Sequence, residues 1–477
     1  MVCNTRTVAL VTLAALEVFA LAAGVTVTRM LPGRLAMLRP ARVTAAPLAR
    51  ATPVLSDPGQ AARVPAAQGL AAALSGPLSS GALGSHVSAV VADARTGRVL
   101  YSRGGGSPAT PASTAKLATA VAALHVLGAG HRFRTRVVSG PAGSIVLAGG
   151  GDPTLAAGSP PASQYPQPAT LQELAARTAR TLRARHLTRV RVGYDTSLYT
   201  GPGMAPGWPG SYVATGNVTP ISSLEADQGR LTASGAPEDA YDPVNYRARS
   251  SDPAASAASA FAAFLAGDGI RVDGTPASET APARAGTLAS VSSPPLAQIV
   301  EWMLLNSDNV MAENLARQVA LATRRPASFA GSAAAVQGVV RRLGAGTAFD
   351  MVDGSGLSPQ DRVAPDVLAR LLALAASPRH PGLRPVVTGL PVAGFAGTLA
   401  QGHSVFSGIG GAALGVVRAK TGNLTTVAAL AGLAYDSSGT LLAFVVNADK
   451  IPKGADLGSA ASALDASASA LAACGCG

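Results

Sequence analysis

The first regularity along the chain is an apolar stretch from Val8 to Thr28, interrupted by one charge, Glu17. It is long enough to span a bilayer, although Glu17 would be costly at the bilayer centre. Ala20-Leu21-Ala22 reads equally well as a small-residue cleavage site behind a short apolar segment. Residues 1–30 are therefore expected to be a signal peptide or a membrane anchor, and either exports the rest. One feature opposes this orientation: Arg6 is the only basic side chain before the stretch, whereas Arg29, Arg34, Arg39 and Arg42 follow it. A Pro/Ala/Arg-rich linker, residues 31–74, comes next.

Beyond the linker the apolar period changes. Residues 86–93 and 98–102 flank a Gly turn and read as a hairpin. Residues 114–124, with a proline before their start, read as a helix. From about Phe133 to Gly286, short strands such as 187–194 alternate with Gly- and Pro-rich turns and one Ala-rich helix near 253–265. A long helical pattern runs from Leu296 to Leu321. Residues 415–421, 426–435 and 440–447 read as three strands, and 456–471 as a closing helix. Strands at both ends with helices between them predict one sheet built from the two ends of the chain. The expected units are residues 75–135 with 287–472, an inserted accessory unit over 136–286, and a flexible tail at 473–477.

Composition narrows the class. The chain has 477 residues, 48% of them hydrophobic and only 13% charged, which excludes a mainly disordered protein. The formal net charge is +12. Five of those charges belong to residues 1–70, and the rest are scattered without a basic run or interleaved aromatics. Nucleic acid is therefore not an expected partner. The three cysteines, Cys3, Cys474 and Cys476, lie at the ends, and the six histidines show no ligand spacing, so no metal or other cofactor is expected.

The informative minority is lysine. Only Lys116, Lys420, Lys450 and Lys453 occur among 38 basic residues. Unlike arginine, lysine can lose its proton and act as a base. Lys116 follows Ser113 by three positions at a helix start, which places both side chains on one face. Burial and a second cation would lower its pKa, so that a neutral amine could accept the Ser113 proton. Ser307-Asp308-Asn309 offers a hydroxyl and a carboxamide two residues apart, and Lys420-Thr421-Gly422 a cation, a hydroxyl and a residue without Cβ. Alone, each has an ordinary reading: a surface pair, a helix N-cap, a strand-end turn. In this order they are the Ser-x-x-Lys, Ser-Asp-Asn and Lys-Thr-Gly set of active-site-serine penicillin-recognising enzymes.

Further segments carry a closer resemblance: Gly149-Gly-Gly-Asp-Pro-Thr-Leu155, Asp353-Gly-Ser-Gly-Leu-Ser358, Leu390-Pro-Val-Ala-Gly394, Gly397-Thr-Leu399 and Val417-Arg-Ala-Lys-Thr-Gly-Asn-Leu424. From about residue 75 to 470 the chain resembles the D-alanyl-D-alanine carboxypeptidase/endopeptidase family of penicillin-binding proteins, peptidase family S13. Gln360 departs from that pattern, where an Asn is expected. The resemblance implies an α/β fold of the DD-peptidase/serine β-lactamase type, an antiparallel sheet flanked by helices, with smaller domains inserted between the first and second motifs. It implies a serine-type D,D-carboxypeptidase, with endopeptidase activity as an addition, acting on peptidoglycan stem peptides outside the membrane and acylated by β-lactams. In that scheme Ser113 is the nucleophile and Lys116 its base. Ser307 and Lys420 relay a proton, Asn309 holds the substrate amide, Lys420 and Thr421 bind the terminal carboxylate, and Gly422 lets the substrate approach closely. The N–H groups of Ser113 and Asn423 form the oxyanion hole. The alternatives are a β-lactamase or esterase of the same fold, or a non-catalytic cell-wall-binding scaffold. Glu313, the last glutamate in the chain, lies too early for the deacylating carboxylate of a class A β-lactamase. Trp208 and Tyr212 are read as shaping the peptide groove, or else as a local packing anchor.

Overall fold

The computed structural model describes residues 64–141, 143–231, 248–400 and 411–476. The signal-or-anchor segment and most of the expected linker lie outside the described residues. Among those described, no helix is long and apolar enough to cross a membrane.

Helix α1 (Ala67–Leu78) begins inside the stretch read as linker. Leu70, Leu74 and Leu78 recur at helical spacing and are buried, which explains its helicity despite the neighbouring prolines. Strands β1 (Val87–Asp93) and β2 (Val99–Arg103) form the expected hairpin. They join β11 (Arg418–Leu424), β12 (Val427–Tyr435) and β13 (Leu441–Ala448) in a five-stranded antiparallel sheet of order β11-β12-β13-β1-β2. Segments from near the two ends of the described residues meet where β1 pairs with β13, Val90 opposite Val445.

The sheet is covered on both faces, so its inner strands are almost continuously apolar rather than alternating. Ala89, Val91, Leu430, Phe444 and Val446 face one core, with α1 and the closing helix α10 (Leu457–Ala473). Val90, Ala431, Leu433 and Val445 face the other. That second core contains α2 (Lys116–Leu127), α5 (Leu296–Asn306), α6 (Asn309–Ala322), α7 (Phe329–Arg342), α8 (Pro365–Ala376) and α9 (Arg384–Thr388), with the short antiparallel pair β9 (Phe349–Asp350) and β10 (Arg362–Val363). Helix α2 is buried continuously from Lys116 to Leu124, as a helix apolar on all sides must be.

A six-stranded sheet occupies much of 134–292. Its strands are β3 (Arg134–Ser139), β4 (Ser144–Ala148), β5 (Arg189–Asp195), β6 (Arg271–Val272), β7 (Ala277–Ser278) and β8 (Thr287–Ser292). The order is β6-β5-β4-β3-β8, with β7 also pairing β5. Helices α3 (Leu171–Ala184) and α4 (Pro253–Gly267) pack on it around a separate core. Their starts follow local chemistry. Thr170 accepts the Glu173 N–H, and Asp252 accepts the Ala255 N–H ahead of Pro253.

The tail differs from expectation. Cys474 and Cys476 are joined by a disulfide, Cys474 is buried, and the Cys476 carbonyl accepts the Ala66 N–H at 2.7 Å. Residues 474–476 therefore pack against the start of α1 rather than trailing from the fold.

Candidate active site

Ser113 sits in a 3-10 turn, Ala112–Ala115, that runs directly into α2. Ala112 holds a left-handed φ of 48°, uncommon for a residue with a Cβ. Two glycines make room for this turn. A Cβ on Gly356 (φ +81°) would fall 1.9 Å from the Ala112 carbonyl oxygen. One on Gly422 would fall 2.9 Å from the Pro111 oxygen and 3.1 Å from the Ser113 nitrogen. The Asp353–Ser358 loop and strand β11 thus touch the serine turn backbone to backbone.

Lys116 is fully buried, and its Nζ has three acceptors: Ser113 Oγ at 2.9 Å, Asn309 Oδ1 at 2.7 Å and the Ser355 carbonyl at 2.8 Å. A neutral amine can keep donating to Asn309 and Ser355 and turn its lone pair toward Ser113. Burial lowers the Lys116 pKa to about 8, against the opposing pull of Asp353, Glu313, Asp308 and Asp361. A lysine in that range can serve as a base near neutral pH.

The long helical pattern over 296–321 is broken at Ser307, which takes left-handed angles (φ 58°, ψ 36°) between α5 and α6. Asp308 accepts the Met311 N–H and caps α6, so the chain turns and restarts there. The break brings Asn309, the first residue of α6, to Lys116. Its Nδ2 donates to the Asn217 carbonyl at 2.9 Å, which ties the 134–292 region to the site. Among the described residues no hydrogen bond joins Ser307 to Lys420.

Lys420 is also fully buried, and its Nζ donates to the Thr421 carbonyl at 2.7 Å. Burial, and then the charge of Lys116, push its pKa well below the usual amine range. Strand β11 pairs with β12 on one edge. On the other, Ala419 N–H donates to the Pro391 carbonyl at 3.0 Å. The two-residue period of a strand then turns the backbone groups of Thr421 and Asn423 toward that same outer edge. Thr421 Oγ1 lies 2.8 Å from Thr398 Oγ1.

Beneath Lys116 lies a buried acid cluster. Asp353 accepts from Trp208 Nε1 (2.8 Å) and from the N–H groups of Ser355, Gly356 and Ser358 at 2.7–3.1 Å. It is thus well provided for as a carboxylate. Asp361 Oδ1 accepts the Val352 N–H, while its buried Oδ2 has no donor. Burial, and then the neighbouring Asp353, push the Asp361 pKa up, which favours its protonated form. Glu313 takes the Gly354 N–H on both oxygens, at 2.9 and 3.0 Å, and burial raises its pKa. Only 1% exposed, it holds the loop rather than a deacylating water.

Sequence reasoning missed Ser355, Asn217 and Thr398 as neighbours of the site. The first two act through backbone carbonyls, which leave no residue signature. Thr398 lies in a segment already singled out, but its partner is 23 residues away. Trp208 is 8% exposed and packs edge-on against Phe329. Its indole N–H anchors the Asp353 loop, as in the packing-anchor reading.

Known proteins resemble this chain over most of its length. The profile of the D-Ala-D-Ala carboxypeptidase 3 (S13) family matches residues 70–240 and 230–471. Carboxypeptidase DacB of Mycolicibacterium smegmatis is 37% identical over 435 residues, 89% of each chain. A carboxypeptidase of Mycobacterium tuberculosis is 38% identical over 426 residues, 87% of this chain and 86% of that one. The crystal structure of penicillin binding protein 4 from Haemophilus influenzae superposes with a TM-score of 0.67 at 22% identity, covering 83% of this chain and 97% of the other.

Proposed function

The chain belongs to the D-Ala-D-Ala carboxypeptidase 3 (S13) family, and from that premise we propose how its centre works. It is a serine-type D,D-carboxypeptidase that cleaves the D-Ala-D-Ala terminus of peptidoglycan stem peptides, acts outside the cytoplasm and is acylated by β-lactams. The observation that carries the mechanism is the Ser113 Oγ–Lys116 Nζ contact of 2.9 Å around a fully buried amine.

Neutral Lys116 takes the Ser113 proton as Oγ attacks the penultimate D-Ala carbonyl. The Ser113 and Asn423 N–H groups stabilise the oxyanion, each worth about 3–4 kcal/mol in a preorganised site. The tetrahedral intermediate collapses, the C–N bond breaks, and the leaving D-Ala amine receives a proton through Ser307 and Lys420. Asn309 orients the substrate amide. Lys420 and Thr421, with Gly422 allowing close approach, hold the terminal carboxylate. Water then attacks the acyl-enzyme, and Ser113 regains its proton. Endopeptidase cleavage of cross-links would use the same steps with a longer leaving group.

A fluorescent penicillin should label the parent protein covalently and fail to label Ser113→Ala, and D-Ala release from a stem pentapeptide should disappear in the same variant. An unlabelled parent protein would sink this reading in favour of a non-catalytic scaffold. Rapid loss of the label with return of active enzyme would favour a β-lactamase.

A further inference from the structure

Thr398 touches the third motif without belonging to it. It is half-buried in the 3-10 turn Gly397–Leu399, which is fixed on two sides. Gly397 has φ +60°, and a Cβ there would fall 2.4 Å from the carbonyl of Leu305, two residues ahead of Ser307. The preceding segment is laced to β11: Ala393 N–H donates to the Val417 carbonyl and Ala419 N–H to the Pro391 carbonyl, both at 3.0 Å. Gly394 N–H donates to the Leu399 carbonyl at 2.8 Å and closes the turn. The hydroxyl of Thr398 is therefore delivered from the second motif's side of the site to the point where the covered edge of β11 ends. It stops 2.8 Å from Thr421 Oγ1.

A hydroxyl carries one hydrogen and two acceptor positions. In a pair of hydroxyls one hydrogen is spent between the two oxygens, and the second must point elsewhere. Without Thr398, the Thr421 hydroxyl could turn its hydrogen to any nearby acceptor, including the Thr421 carbonyl side already taken by Lys420. Either oxygen can donate across this contact; in the arrangement where Thr398 donates, the Thr421 oxygen is filled on that side and its hydrogen is left for the groove. The buried Lys420 amine lies beside it. That combination suits an anionic acceptor, because hydrogen bonds to a charged group gain more than those to a neutral one.

We propose that Thr398 is a positioning and specificity-determining residue, whose hydroxyl fixes that of Thr421 so that the centre selects a free carboxylate over a neutral group at the substrate's C-terminus. This rests on the reading above, in which Thr421 receives the terminal carboxylate. Thr398 need not touch the reacting atoms.

The test compares acylation of the full chain by benzylpenicillin, which carries a free carboxylate, and by its methyl ester. The ratio of the two second-order rate constants does not depend on how much of a variant folds. Thr398→Val and Thr398→Ala are expected to lower that ratio about tenfold, mainly through benzylpenicillin, and Thr398→Ser to restore it. In the Thr421→Val background, Thr398→Val is expected to change the ratio no further, because the two hydroxyls act as one unit. Equal slowing of both penicillins by Thr398→Val, or no slowing of either, would overturn the proposal while leaving Thr421 in place. An unchanged ratio in Thr421→Val itself would overturn the underlying assignment of the carboxylate site.

Discussion

With Lys116 as the proposed base, its protonation should set the rate of acylation, and the magnitude can be worked out. With a pKa near 8, only about a tenth of the lysine is neutral at pH 7 and about nine-tenths at pH 9. The second-order acylation constant should therefore rise roughly tenfold between those values, along a single-proton curve with its midpoint near 8. The sign follows from burial: the buried site disfavours the ammonium, so the base appears about two pH units earlier than in a solvated lysine, whose pKa is about 10.4. Lys116→Arg keeps a cation against Asn309 and Ser355 but cannot deprotonate in this range. It should lose about 10²–10⁴ in acylation and show no recovery toward pH 9.5. Stopped-flow acylation by a chromogenic or fluorescent β-lactam from pH 6 to 9.5 measures both, with a parallel circular dichroism check that the fold persists. A midpoint at or above 10, or a Lys116→Arg variant that recovers its rate as pH rises, would refute the base assignment.

Two further predictions concern the loop under Lys116. Burial beside Asp353 favours the protonated form of Asp361 in the fold, whereas in the unfolded chain it ionises above about pH 4. A raised acid pKa means the folded state binds more protons there, so this residue costs stability as pH rises above about 4, by up to about 1.4 kcal/mol per unit until it ionises in the fold. Asp361→Asn removes the titrating carboxyl, so its Tm advantage over the parent should grow from pH 5 to pH 8; a pH-independent difference would contradict the raised acid pKa. Gly356→Ala places a methyl 1.9 Å from the Ala112 oxygen at φ +81°. Left-handed strain and overpacking together should cost about 2–5 kcal/mol, seen as a lower urea midpoint and a kcat/KM that falls more than KM rises; an unchanged midpoint would count against the close contact.

Much of the fold was legible because the determining signals are local. The hairpin, the central helix and the three closing strands announce themselves in residues 86–102, 114–124 and 415–447, since apolar period and turn chemistry act over a few residues. The break at Ser307 was not legible. Leu296–Leu321 keeps an apolar period throughout, and the left-handed turn is imposed by Asp308 capping the next helix and by the packing that brings Asn309 to Lys116. The motifs named Ser113, Lys116 and Asn309, which the structure brings together, but not the partners that hold them. Ser355 and Asn217 contribute main-chain oxygens that any residue possesses. Helix α1 was hidden by its linker-like composition, and the ordering of Cys474–Cys476 depends on Ala66, near the other end of the described residues.

The pairing of β1 with β13 has a consequence for the order in which this protein can mature. Strands from near the start and the end of the described chain share one sheet, and the centre straddles it: Lys116 reaches Asn309 and Ser355 across 193 and 239 residues of chain. Closing such loops costs entropy before any contact repays it, and folds with many distant contacts form slowly. The 134–292 sheet has its own core and can gather early. The serine turn cannot be braced until Gly422 and the strands after it arrive. A chain still emerging therefore carries the nucleophile long before it carries the groove. For a carboxypeptidase built this way, activity arrives only with the last strands.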